Sequence, residues 1–139
     1  MQGEYEKFKG QWIYRSLRND TDINIDFNQL EFGRGTIHID SIGEDFIAVA
    51  RLDMGSGYQL SLKGELSRQD NEINSISLKG EGISGTPTEG WRYDYQGFVV
   101  PAWPNGKDQA FVITGSVIRV TDHGTAKAGY VGSFYMVHK

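Results

Sequence analysis

Apolar and polar residues alternate along most of this chain, and no long stretch repeats with the 3.6-residue period of a helix. The clearest case is Tyr58–Leu66, where even positions are apolar or glycine and odd positions are polar. Such alternation places one face of a strand in a core. Eight strands are predicted, with starts roughly 12 to 20 residues apart. They are Gln11–Arg18, Leu30–Ile39, Phe46–Met54, Tyr58–Leu66, Ser75–Ile83, Trp91–Val100, Ala110–Asp122 and Tyr130–His138.

Glycines inside these strands favour a closed barrel. Glycine weakens a strand interior and commonly marks a sharp bend or a close backbone approach, both of which a small coiled barrel requires. Short sequential connections favour up-and-down order, and closure removes the edge strands. We therefore predict an all-β fold, an eight-stranded antiparallel up-and-down (meander) barrel, as a single domain over residues 1–139; a Greek-key sandwich is the alternative. The glycines are Gly33, Gly35, Gly64, Gly80, Gly82, Gly97, Gly115 and Gly132.

Charge and cysteine content exclude several classes of function. The chain has 14 basic and 18 acidic side chains, a net charge of −4, which gives no electrostatic footprint for nucleic acid or anionic lipid. It has no cysteine, which excludes disulfides and thiolate chemistry. No apolar run approaches the roughly 18 residues of a membrane span, and the first residues lack the apolar stretch of a secretory signal. We expect a cytoplasmic protein that binds neither nucleic acid nor membrane.

The first strand opens with Gly10-Gln11-Trp12. This triplet resembles the G-x-W signature that opens the first strand of lipocalins and avidins, the calycin group, and Tyr5–Phe8 resembles their preceding helical turn. The resemblance implies a barrel closed at the G-x-W end, with a central binding site. Two positions depart from the pattern. The last strand has no counterpart of the lipocalin arginine that covers the tryptophan, and Tyr14 stands where avidins carry a biotin-binding asparagine. Biotin is therefore not implied.

Up-and-down order sorts the connections between the two ends of the barrel. Segments 19–29, 55–57, 84–90 and 123–129 share one end, which the resemblance makes the open mouth. Segments 40–45, 67–74 and 101–109 share the other end with both termini. Within 101–109, Trp103 is expected to cover the closed end beside Trp12 or to anchor a partner subunit.

The aromatic run Trp91, Tyr93 and Tyr95 alternates with Arg92, Asp94 and Gln96, so only one set can face the interior. Burying three aromatic side chains is favourable by several kcal/mol, whereas burying unpaired Arg and Asp is costly. We therefore place the aromatic side chains inside, with Trp91 nearest the mouth and Tyr95 deepest. They line a pocket or, alternatively, simply fill the core.

Arg119 and His123 share a face on the seventh predicted strand. Such a pair at the mouth is suited to a carboxylate or phosphate; the alternative is a surface ion pair of little energetic value. Arg34 and His38 share a face in the same way. The predicted ligand-binding residues are therefore Trp91, Tyr93, Tyr95, Arg119 and His123.

Metal and catalytic motifs are weak. The pairs His38–Asp40 and Asp122–His123 offer imidazole and carboxylate, but the predicted order puts them near opposite ends of the barrel. Segment 20–26 partly mimics a calcium loop, with Ile25 where such loops require glycine. Asp94 is a carboxylate candidate only if the aromatic face points outward. We expect no metal, no cofactor and no identifiable catalytic residue.

These observations predict noncatalytic binding of a small, partly apolar ligand inside the barrel. One alternative is a small barrel enzyme of the cyclase or isomerase kind, resembling the allene oxide cyclase and dirigent group. Another is a structural or oligomeric interaction module with a filled core, and self-association into a homo-oligomer is left open. A filled barrel would favour the module, and a titrating side chain against the ligand would favour the enzyme.

Overall fold

A computed structural model of the chain describes residues 5–102 and 105–139. Eight antiparallel strands pair in sequence order, and the last pairs with the first, so the sheet closes into a barrel. The predicted eight-stranded up-and-down barrel is confirmed. Within the described residues, helix is confined to a turn at Tyr5 and Glu6 and one 3-10 turn at Phe27–Leu30. The strands are β1 (Gly10–Arg18), β2 (Glu31–Ile42), β3 (Ile47–Asp53), β4 (Gln59–Gln69), β5 (Glu72–Gly82), β6 (Arg92–Val99), β7 (Val112–Arg119) and β8 (Val131–His138).

Several connections differ from the predicted boundaries, by up to three residues at a strand end. Segment 67–74 is almost entirely strand, because Asp70 and Asn71 alone make the turn between β4 and β5. Both have positive φ, 55° and 68°, the backbone of a tight primed hairpin turn that Asp and Asn tolerate. In the other direction, β7 ends at Arg119 rather than Asp122. His123 instead forms an isolated bridge with Ala126 in the connection to β8.

Strand glycines allow neighbouring backbones to approach closely. A Cβ atom at Gly115 in β7 would overlap the carbonyl oxygen of Gln96 in β6 and lie 2.7 Å from the Cα of Gly97. A Cβ atom at Gly64 in β4 would likewise overlap the carbonyl oxygen of Ser77 in β5. Because no larger residue fits these crossings, the glycines permit the coiling that closes a barrel of this size.

One end of the barrel is closed by an aromatic cluster around Trp12, which is wholly buried. The indole Nε1–H donates to the Phe8 carbonyl at 2.9 Å, which ties β1 to the helical turn before it. Phe111 lies against the indole with ring centroids 5.1 Å apart. His138 packs edge-on at 4.8 Å, and its Nε2 lies 2.7 Å from the Lys9 carbonyl oxygen. The imidazole thus covers Trp12. Trp103 lies outside the described residues.

Candidate functional site

A cavity of about 250 Å³ occupies the half of the barrel opposite Trp12. Residues of β1, β2, β3, β4, β6 and β7, or of the segments that follow or precede them, line it. Its apolar wall is formed by side chains from four of these strands and their ends. They are Phe32, Leu52, Met54, Leu60 and Val117. The five predicted ligand-binding residues all line this one cavity, so the structure brings together side chains that are up to 32 residues apart in the chain, from Trp91 to His123.

Tyr93 and Tyr95 of β6 face the interior, as the alternation predicts. Tyr93 and Tyr95 are buried, whereas Trp91, just before the strand, is only partly buried. The depth therefore increases from Trp91 to Tyr95. On the outer face, the Arg92 Nε lies 3.0 Å from the Asp94 Oδ1. Asp94 is thus an exterior ion-pair partner and not a carboxylate of the interior.

Three polar side chains, Tyr93, Arg119 and His123, form what we call the mouth cluster. The Arg119 Nε–H donates to the Tyr93 hydroxyl at 2.9 Å, and that hydroxyl lies 2.7 Å from the His123 Nε2. Because a guanidinium can only donate, the phenol oxygen accepts this bond and its proton is left for a neutral His123. Burial, and then the charge of Arg119, lower the pKa of His123. Both effects favour the neutral imidazole near pH 7.

Aromatic rings pack against two members of this cluster, His123 and Arg119, and hold them in place. The His123 ring stacks on Trp91 with centroids 4.0 Å apart and planes 17° apart. The Arg119 guanidinium lies 5.1 Å from the Phe32 ring and 5.4 Å from the Tyr130 ring, distances typical of cation–π contacts. Its Nη1 also donates to the Lys127 carbonyl at 3.1 Å.

Among the described residues, Arg119 has no acidic partner with which to form the surface ion pair that the sequence left as the alternative. In the part of the chain that the structure describes, no carboxylate oxygen lies within 4.0 Å of its guanidinium. Arg34 shows the contrasting case, since its Nη2 lies 2.8 Å from Glu31 on the exposed surface. The mouth cluster therefore presents a positive charge that no acidic side chain of the described residues neutralises.

Deeper in the cavity lies a second polar group, the inner hydroxyl cluster of Tyr14, Ser16 and Tyr95. Burial raises the pKa of Tyr14 to about 12, although hydrogen bonds with Ser16 and Tyr95 act in the opposite direction. Burial also raises the pKa of Tyr95. Both phenols therefore stay neutral at physiological pH, and this end of the cavity offers hydrogen bonds without charge.

Sequence reasoning did not identify Tyr14 and Ser16 as site residues, although a signal was present. Trp12, Tyr14 and Ser16 alternate along β1, and all three are buried. The alternation of β1 is the same signal as the alternation of Trp91, Tyr93 and Tyr95. It places Tyr14 inside the barrel once Trp12 is taken as interior.

Thr88 was also missed, and nothing in the sequence pattern marks it. Its side chain is wholly buried, and its hydroxyl donates to the Gln59 carbonyl at 2.8 Å. The Thr88 hydroxyl oxygen also accepts the Ile83 N–H at 3.1 Å, and the Thr88 carbonyl accepts the Trp91 N–H at 2.9 Å. Thr88 therefore anchors the loop before β6 and positions Trp91 at the mouth.

The metal candidates do not converge. Among the described residues, no group of three or more His, Asp or Glu side chains is placed to hold a metal ion. His38 pairs with Gln11 towards the closed end, far from His123. In segment 20–26, the carboxylates accept hydrogen bonds from the local backbone: Asp20 from Asp22 N–H at 2.8 Å, and Asp22 from Asn24 N–H at 3.0 Å. These are turns of the chain on itself.

Comparison with protein-family models, curated proteins and solved structures finds no significant match to this chain. In the residues that the structure describes, no helix has the length and apolar character needed to cross a membrane.

Proposed function

We propose that the barrel binds a small, partly apolar ligand in this cavity and releases it unchanged. The observation that carries the proposal is a cavity that the core side chains do not fill, with an apolar wall between two polar clusters. Apolar walls with a few placed polar groups are typical of small-molecule sites. A filled core, as an interaction module would have, does not account for this space.

The size of the cavity limits the ligand. Its volume of about 250 Å³ lies just below the range of about 300–1,000 Å³ typical of pockets for drug-sized molecules. At the roughly 30 Å³ that a water molecule occupies in the liquid, the space corresponds to about eight waters. The proposal is therefore a ligand of the size of one substituted aromatic ring, with any larger part outside the mouth.

The surrounding side chains indicate how such a ligand lies. His123 already covers one face of Trp91 at 4.0 Å. The ligand is therefore expected to meet the remaining surface of the indole, beside Tyr58, whose ring centroid is 5.9 Å away. Tyr93 faces the same space and offers the ligand its remaining oxygen lone pair. The position of the cavity, opposite the G-x-W end, is the one that the calycin resemblance implies.

Filling the cavity tests this proposal. Met54→Trp should place an indole in the cavity and abolish ligand-induced thermal shifts across a library of small aromatic compounds. Val49→Trp is the control, because Val49 lies on the exposed outer face of β3 and its side chain does not line the cavity. Equal binding by both variants would overturn an interior site.

An isomerase is the second candidate, and the mouth cluster is the observation that favours it. The Tyr93 oxygen can take a proton from a ligand carbon on its remaining lone pair while its own proton passes to the Nε2 of a neutral His123. The reverse transfer returns a proton to another carbon of the ligand. Incubation of any bound compound with the protein in D₂O separates the two functions. Noncatalytic binding predicts that nuclear magnetic resonance (NMR) spectra show no deuterium at carbon. Incorporation that disappears in His123→Gln would establish the enzyme instead.

A further inference from the structure

Resting on that proposed function, we propose that the ligand is a monoanion, the carboxylate of a small aromatic acid, and that Arg119 binds the carboxylate at the mouth. The polar end of the ligand then points outward, and its ring lies against the apolar wall.

Arg119 has donors to spare. A guanidinium carries five N–H groups, of which one bonds Tyr93 and one bonds the Lys127 carbonyl. Three are therefore not engaged with any group that the structure describes. The adjacent pair of terminal nitrogens is the part of an arginine that binds carboxylates in a fork. Three aromatic rings around the guanidinium, from Phe32, Tyr93 and Tyr130, hold it in place for this contact.

The charge count favours one negative charge. Arg119 is the single permanently charged side chain among the described residues lining the cavity. His123 adds no second cation near pH 7, because burial and Arg119 lower its pKa. A carboxylate therefore neutralises the single positive charge of Arg119. A phosphate monoester, with a charge of about −1.5 to −2 at pH 7, would leave excess negative charge in a partly desolvated cavity.

The two ends of the cavity give the ligand a direction. The inner hydroxyl cluster is neutral and buried, so a charged group there would be desolvated without a counterion. The same hydroxyls are suited to a neutral polar substituent, such as a phenol, on the far side of the ring. A 4-hydroxybenzoate thus matches both ends, with its carboxylate at Arg119 and its hydroxyl at the inner cluster.

The experiment compares four probes on the wild-type protein by protein-observed NMR titration at pH 7. The probes are 4-hydroxybenzoate, benzoate, the neutral 4-hydroxybenzamide and phenyl phosphate. The acid is expected to bind at least about tenfold more tightly than its amide, the usual worth of a hydrogen bond to a charged group, and more tightly than phenyl phosphate. Arg119→Gln should remove the preference of acid over amide. Arg51→Gln, on the exposed outer face of β3, should leave it intact.

The outcomes separate the two proposals. Equal binding of acid and amide to the wild-type protein would overturn the carboxylate inference while leaving an interior site. Preference for phenyl phosphate would also overturn it. If no probe of any charge shifts resonances of the cavity wall, the inference and the proposed function both fail. The wild-type comparison of acid and amide stands even if Arg119→Gln does not fold.

Discussion

Trp12 is the side chain on which closure of one barrel end depends, and Trp12→Ala should lower the free energy of unfolding by about 5 kcal/mol. Loss of a core aromatic costs about 3–5 kcal/mol, and this indole is wholly buried. The upper end of that range applies here, because the substitution also leaves the Phe8 carbonyl without its 2.9 Å donor. Phe111 and His138 lose their contacts with the indole at the same time.

Two companion variants divide this loss into its parts. Trp12→Phe keeps a ring in the cluster but removes the N–H, so it should cost about 1–3 kcal/mol, the penalty for an unsatisfied buried carbonyl. Ile13→Ala, the next residue on the exposed outer face, should change stability by less than about 1 kcal/mol, the span of strand propensities.

The assay is urea unfolding followed by circular dichroism, with the melting temperature as a second reading. A loss of 5 kcal/mol corresponds to a drop of roughly 15 °C or more for a domain of this size. A Trp12→Ala variant as stable as Ile13→Ala would refute the assignment of this end as the closed, packed one. If Trp12→Phe lowered the free energy of unfolding as much as Trp12→Ala, the hydrogen bond, and not ring packing, would account for most of the loss.

Three further predictions concern the site and the strand crossings. Tyr93→Phe should weaken ligand binding by about 1–3 kcal/mol, because the ligand group that met the Tyr93 hydroxyl is then buried without a hydrogen bond. The circular dichroism spectrum should not change, and unchanged affinity would remove Tyr93 from the site. Because the pKa of His123 is lowered on folding, the unfolded chain binds more protons, so stability is present above pH 6.5 and falls as the pH drops through that value. Melting temperatures between about pH 5 and 8 should show this slope reduced in His123→Gln but not in His38→Gln; equal slopes would contradict the assignment. Gly115→Ala should cost about 3 kcal/mol in urea unfolding, because its Cβ overlaps the Gln96 carbonyl, whereas Ser116→Ala on the outer face should cost little; a neutral Gly115→Ala would show that β6 and β7 separate easily.

The fold followed from the sequence because its signals are local. Alternation in segments such as Tyr58–Leu66 predicts both a strand and the face it buries. The interior position of Tyr93 and Tyr95 follows from the same rule, since Arg92 and Asp94 must then lie outside. Strand ends were less accurate, because a two-residue turn such as Asp70-Asn71 depends on backbone conformation rather than on the number of polar residues around it.

The contacts of the candidate site could not be predicted in the same way. The sequence puts Arg119 and His123 near the mouth, but their meeting at the Tyr93 hydroxyl depends on a chain reversal after β7 that alternation does not describe. Contacts of Thr88 with Gln59, 29 residues earlier, depend equally on the closed barrel. Such contacts follow from tertiary packing, which no local pattern encodes.

Methyl-detected NMR titration is the most direct test of an open ligand cavity in the mouth half of the barrel. A small aromatic probe, added as the acid and separately as the amide, should shift the methyl resonances of Leu52, Met54 and Leu60, which line the cavity. The methyl groups of Ile39 and Leu66, buried outside the cavity lining, should not respond. Saturable shifts confined to the first set are the predicted result. Shifts confined to exterior methyl groups, or none with either probe at millimolar concentration, would contradict the account.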